Sequence, residues 1–155
     1  MTDIVKKARA LVILAVLISL SGVVIHVGAL FAGLPWFIFF HAPPSVVESY
    51  KAGTWLAPLT ALAIAGLMGA CAIYAASAIG WLRRPPLQRL GLATMAAICV
   101  VRSLLLPVLA VPHPELRNTF EIVAAVVWGL AGTGFAVGLL LVTDGRKRRE
   151  GIEQT

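Results

Sequence analysis

Four long apolar runs, parted by short loops that hold almost all of the charge, decide what this chain can fold into. They cover residues 9–33, 54–82, 87–111 and 119–142. Each is longer than the roughly 20 residues with which an α-helix crosses about 30 Å of hydrocarbon. Inside lipid the backbone must satisfy its own N–H and C=O groups, which leaves helices and closed barrels. The alternating segments of about ten residues that mark barrel strands are absent. A soluble alternative fails on composition. Of 155 residues, 59% are apolar and 13% charged, where a soluble domain carries roughly 25% charged. A domain this small leaves about a third of its unfolded surface exposed, and these polar residues do not suffice to cover it. The expected fold is all-α: an integral membrane four-helix transmembrane bundle in one domain over residues 1–145, with a basic tail over residues 146–155.

The first run begins like a secretory leader, with Lys6, Lys7 and Arg9 ahead of it. Its core exceeds the usual length of about 7–15 residues and no small-residue cleavage pattern closes it, so it is read as a retained span. Gly33-Leu34-Pro35 should end it, because proline cannot continue a helix and disfavours helix in the residue before it. Trp36, Phe37, Phe39 and Phe40 then make an aromatic segment suited to the membrane interface. Ser45-Val46-Val47-Glu48 has the spacing of a capping box, so a helix is expected from Ser45 into the second span. Asn118 and Glu121 repeat that spacing before the fourth. His41, Glu48 and Trp55 are matched at nearly the same intervals by His113, Glu121 and Trp128, a hint of a duplicated hairpin. Ala65, Gly69, Ala72 and Ala76 share one face of the second helix, and Gly134 and Gly138 mark the fourth. Small residues let membrane helices approach closely, either within one chain or in a homo-oligomer.

Charge sets the orientation. Apart from Lys51, Arg102 and Arg117, every Lys and Arg falls in the N-terminal segment, the Arg83–Arg89 turn or the Arg146–Arg149 tail. Basic loops stay on the cytoplasmic side, so both termini and the middle turn are expected there. Residues 34–53 and 112–118 then face outward. The location expected is a bacterial inner membrane, crossed several times.

Polar residues inside the spans are the candidates for function. Arg102 lies well inside the third, and its nearest charged neighbours in sequence are Arg89 and Glu115. It sits about 13 Å inside Val111 at 1.5 Å per residue. An arginine near mid-membrane costs at least about 2.5–3.5 kcal/mol, so it should face the bundle interior or a water cavity and have a partner. Pro107 has no N–H to offer the Ser103 carbonyl, which adds an acceptor nearby. His26 lies at similar depth in the first span, and Glu48 and Glu121 open the second and fourth helices. His26, Glu48, Arg102 and Glu121 would converge as a lipid-headgroup, anion or proton site, or as an ion pair that fixes packing. His41, Tyr50, Lys51, His113, Glu115 and Arg117 form a polar outer rim.

Other chemistries lack their residues. Cys71 and Cys99 are isolated within apolar runs, without the clustered ligand spacing of a metal site. A bis-histidine haem needs two histidines at matching depth, and only His26 lies in a span. No H-E-x-x-H, G-x-S-x-G or phosphate-binding loop occurs. No cofactor, metal or catalytic residue is assigned. The basic clusters flank spans and make no face interleaved with aromatics, so nucleic acid is not an expected partner. The tail arginines and Lys147 would meet membrane lipids.

Several local features then stand together: His26 late in the first span, Pro35-Trp36-Phe37 after it, Arg83-Arg84-Pro85-Pro86 between the hairpins and Arg102-Ser103 in the third span. In span number, length and loop polarity the chain, from Val5 to Val142, resembles the small four-span bacterial inner-membrane proteins of the DoxX-like kind. That resemblance implies a multi-pass inner-membrane protein and carries over no catalytic residue. The leading expectation is a non-enzymatic accessory or regulatory protein, acting through contacts with a membrane-protein partner and an outer-leaflet lipid or anion site. A small oligomeric transporter or channel is the alternative; the inner half of the spans offers it only Ser19, Ser77 and Thr94. A membrane enzyme acting on lipid or quinone is the third.

Overall fold

The computed structural model describes residues 3–153 of the chain. Its elements are α1 (Asp3–Ala32), α2 (Leu34–Phe39), α3 (Pro44–Lys51), α4 (Leu56–Ala78), α5 (Gln88–Leu109), a 3-10 turn (Pro114–Leu116) and α6 (Thr119–Glu153). The described residues contain no strand, and the fold is all-α. Four helices are long and apolar enough to cross a membrane: α1, α4, α5 and Thr119–Gly145 of α6. The side chains of Glu115 and of the basic tail residues Arg146, Lys147, Arg148 and Arg149 lie outside the described set.

Helix ends follow from local chemistry. Gly33 at φ 78 and the proline behind it stop α1. At the end of α4, the Gly80 N–H donates to Ser77 O (3.2 Å) and the Trp81 N–H to Ala76 O (3.1 Å). These paired bonds around a left-handed residue are a Schellman cap, and Gly80 takes the positive φ of 81° without a steric cost. The same pair of bonds closes α3 around Gly53, from Gly53 N to Tyr50 O and from Thr54 N to Ser49 O. It closes α2 around His41, from His41 N to Ile38 O and from Ala42 N to Phe37 O. The capping-box expectation at Ser45 is corrected here. Pro43 is the N-cap and Pro44 the first residue of α3, no side chain caps it, and the turn at Gly53 separates it from the second span. Proline at the first helical position presets φ and has no N–H to leave unpaired, so it fixes the start without the serine.

Packing divides the chain into two compact units. The first comprises residues up to Ile18 and from Cys71 onward. Its core joins four helices: Val12, Ala15 and Val16 of α1, Ala72, Ala75 and Ala76 of α4, Leu92, Ala96 and Cys99 of α5, and Ala131 and Phe135 of α6. Small residues set the separations. A Cβ on Gly134 would stand 2.5 Å from the Leu11 carbonyl oxygen and 2.6 Å from Ala15 Cβ. One on Gly132 would meet Cys99 Cβ at 3.1 Å, and one on Gly91 would enter the Tyr74 ring. Dispersion between closely approaching backbones replaces the hydrophobic drive that lipid removes. Leucine and isoleucine side chains such as Ile98, Leu104 and Leu140 point outward, 58%, 61% and 61% exposed. Such a surface is stable against hydrocarbon and not against water.

The second unit spans Ser19 to Ala70. Phe37, Ala29 and Ala57 form its buried centre, surrounded by Trp36, Val46, Val47 and Tyr50. The predicted aromatic segment is thus a short helix with Phe37 in a core and Phe39 outside. Trp36 donates its indole N–H to Ile25 O at 3.0 Å and lies across Gly28. Ser49 is buried and does the work of a distant cap: its Oγ accepts the Ala57 N–H at 3.0 Å and pairs with Thr54 Oγ1 at 2.6 Å. It thereby satisfies one of the unpaired N–H groups that open α4.

Candidate functional site

The charged residue buried deepest in the sequence of a span lies at the surface of the fold. Arg102 is exposed, on the face of α5 next to α6. Of the two settings expected for Arg102, the bundle interior is not the one it takes: the core positions of α5 are Leu92, Ala96 and Cys99, and Arg102 falls off that line by almost a right angle at about 100° per residue. Its guanidinium carbon stands 5.2 Å from the centre of the Trp128 ring.

Arg102 opens into a groove of about 160 Å³ between α5 and α6. On α5 it is walled by Leu105, Leu106 and Leu109, and on α6 by Glu121, Ala124, Ala125 and Trp128. Both sets follow helical spacing of three, four and seven, so each presents one face. The alanines leave the depth. The groove's far end is closed by Leu116 of the 3-10 turn. That turn is held by Arg117, whose Nε donates to Ala110 O (2.7 Å) and whose Nη2 donates to Val111 O (3.2 Å). The start of α6 is fixed as expected: Asn118 Oδ1 accepts the Glu121 N–H at 2.9 Å.

Electrostatics leaves this arginine short of partners. Among the described residues Arg102 forms no ion pair within 4.0 Å, and the pair that does form is Lys6–Asp3. A cation–π contact offsets about 0.5–2 kcal/mol, below the cost of at least about 2.5–3.5 kcal/mol for mid-membrane charge. The guanidinium has five N–H donors, and the ring supplies none of them with an oxygen. A ligand bringing oxygen acceptors would close the difference.

Arg102 and Glu121 share the groove. His26 and Glu48 belong to the second unit. His26 is half-buried and donates from Nδ1 to Gly22 O of its own helix at 2.8 Å, and Glu48 is exposed on α3. Of the rim, Arg117 is a clamp on the end of α5, and His41 is the left-handed residue of the α2 cap at φ 51. Tyr50 packs against Phe37 with the rings tilted by 42° and their centres 5.1 Å apart, its hydroxyl beside Gly33. Lys51 is in the last turn of α3, and His113 precedes the 3-10 turn. The hinted duplication finds no structural counterpart, since Trp55 precedes α4 while Trp128 lies well inside α6. Trp128, noted in the sequence only as part of a possible repeat, lines the groove against Arg102. Its signal was the seven-residue step from Glu121, which places both on one face.

Among the described residues no group of three or more His, Cys, Asp or Glu could hold a metal ion. Comparisons with models of known protein families, with curated proteins and with solved structures find no match to this chain.

Proposed function

We propose that this multi-pass membrane protein is a non-enzymatic accessory or regulatory subunit of a bacterial inner membrane, and that its α5–α6 groove holds the headgroup of an outer-leaflet phospholipid. Both termini are cytoplasmic in this reading, because the basic residues cluster at the α1 start, the α4–α5 turn and the tail. The observation that carries it is the exposed Arg102 over Trp128 in a groove that also holds Glu121. A lipid phosphate supplies the missing oxygen acceptors, and guanidinium pairs with phosphate through parallel hydrogen bonds. The Glu121 carboxylate complements an ammonium group and opposes a second negative charge. One cation and one carboxylate in one groove therefore favour a zwitterionic headgroup such as phosphoethanolamine.

The transporter reading has less support. Its candidate polar path includes Ser77, which is buried and engaged with the Tyr74 carbonyl (2.7 Å) and the Gln88 amide (2.8 Å). Native mass spectrometry of the chain released gently from its own membrane tests the proposal. A stoichiometric phosphatidylethanolamine, with or without a second membrane protein, is expected. A clean homo-oligomer without lipid would favour the transporter.

A further inference from the structure

A second hollow, of about 410 Å³, lies beside the α4–α5 connection. Arg84, Arg89 and Gln88 line it together with the apolar Leu87, Leu90 and Val142. Among the described residues its lining contains two guanidinium groups and no carboxylate, whereas the α5–α6 groove balances one of each.

The connection is built rather than loose. Tyr74 donates its hydroxyl to Pro86 O at 2.9 Å. Gln88 is buried and donates to Ser77 Oγ at 2.8 Å, and that hydroxyl donates on to Tyr74 O at 2.7 Å. Pro85 and Pro86 restrict the chain that leads into Gln88. Leu87 is held in the left-handed region at φ 53 with its side chain 74% exposed. For a leucine that conformation costs about 1–2 kcal/mol, and strain of this kind is kept where the surroundings over-determine it. The exposed Leu87 thus stands in sequence between the two arginines of the hollow, where two membrane helices are joined. This is the pattern of a headgroup site on the basic side of a membrane: cations for a phosphate and leucines for the acyl chains.

We propose that this hollow binds a net-anionic glycerophospholipid, with Arg84 and Arg89 on its phosphodiester and Leu87, Leu90 and Val142 against its acyl chains. The two guanidinium groups of the lining select a headgroup with net negative charge over a zwitterion. The site is separate from the Arg102 groove, and each stands or falls without the other.

Binding of added lipid to the full chain in detergent, followed by native mass spectrometry, tests it. The probes are phosphatidylglycerol, phosphatidylethanolamine and inorganic phosphate. Arg84→Gln/Arg89→Gln should weaken phosphatidylglycerol binding about thirtyfold, from roughly fivefold per arginine near a membrane surface. Lys7→Gln/Arg83→Gln removes the same charge outside the hollow and should change binding less than threefold or so on the same scale. Equal losses in both double variants would mean diffuse attraction and would overturn the proposal. So would equal uptake of phosphatidylethanolamine at this site, or phosphate binding as tight as that of the lipid. All four positions, Lys7, Arg83, Arg84 and Arg89, are exposed, so matched melting curves are expected for the two double variants.

Discussion

The Arg102 guanidinium lies 5.2 Å above the Trp128 ring, on the outside of the helix pair rather than within it. The two residues should be energetically coupled. In a double-mutant cycle of Arg102→Leu and Trp128→Leu, melting in detergent should give a coupling of about 0.5–2 kcal/mol. Strictly additive losses would remove the contact from the account.

Ser49 joins two helices through one hydroxyl, accepting the Ala57 N–H and pairing with Thr54 Oγ1. Ser49→Ala leaves a buried N–H without its acceptor and should cost about 1–2 kcal/mol. Thr54→Ala leaves the Ala57 bond in place and should cost less. Thermal unfolding of the two variants in the same detergent orders them, and the reverse order would contradict the capping role.

Close approach at Gly134 leaves no room for a side chain, since its Cβ would press on the Leu11 carbonyl. Gly134→Val should lower stability by about 1–3 kcal/mol or prevent folding. Gly66 has nothing within 4 Å of its Cβ position, so Gly66→Ala should be neutral or slightly stabilising through helix propensity. Yield of monodisperse protein reads both.

Orientation is open to a direct chemical test. Cys71 and Cys99 are buried and give little background. A membrane-impermeant maleimide applied to intact spheroplasts should label Lys51→Cys at once and Arg83→Cys only after permeabilisation. The opposite pattern would invert the topology and move the Arg102 groove to the cytoplasmic leaflet.

Span number was legible because length and apolarity alone decide it in a membrane chain. The end of α1 was legible because Gly33 is followed by a proline, whereas the stops at Gly53 and Gly80 were not: one lies within the helix expected from Ser45 and the other within the span expected to reach residue 82. Nor was the stop at His41, which holds a left-handed cap in place of glycine. Ser45 misled, since Pro44 already sets the start of α3. The depth of Arg102 could be counted along the chain, but its direction could not. Its helix is apolar on nearly every side, so periodicity names no inward face, and only the packing of Ala96 and Cys99 against α6 turns Arg102 outward. Glu121 and Trp128 were within reach, because their seven-residue separation is two helical turns.

The central claim is that Arg102 holds a zwitterionic lipid headgroup. It is tested most directly by titrating phosphatidylethanolamine into wild-type and Arg102→Gln protein and reading lipid occupancy by native mass spectrometry. Loss of a guanidinium–phosphate pair worth about 1.5–3 kcal/mol should weaken binding at least tenfold or so, with melting curves of the lipid-free proteins unchanged or slightly raised for the variant. Equal occupancy in the two proteins would contradict the account and leave Arg102 as a residue that only stacks on Trp128.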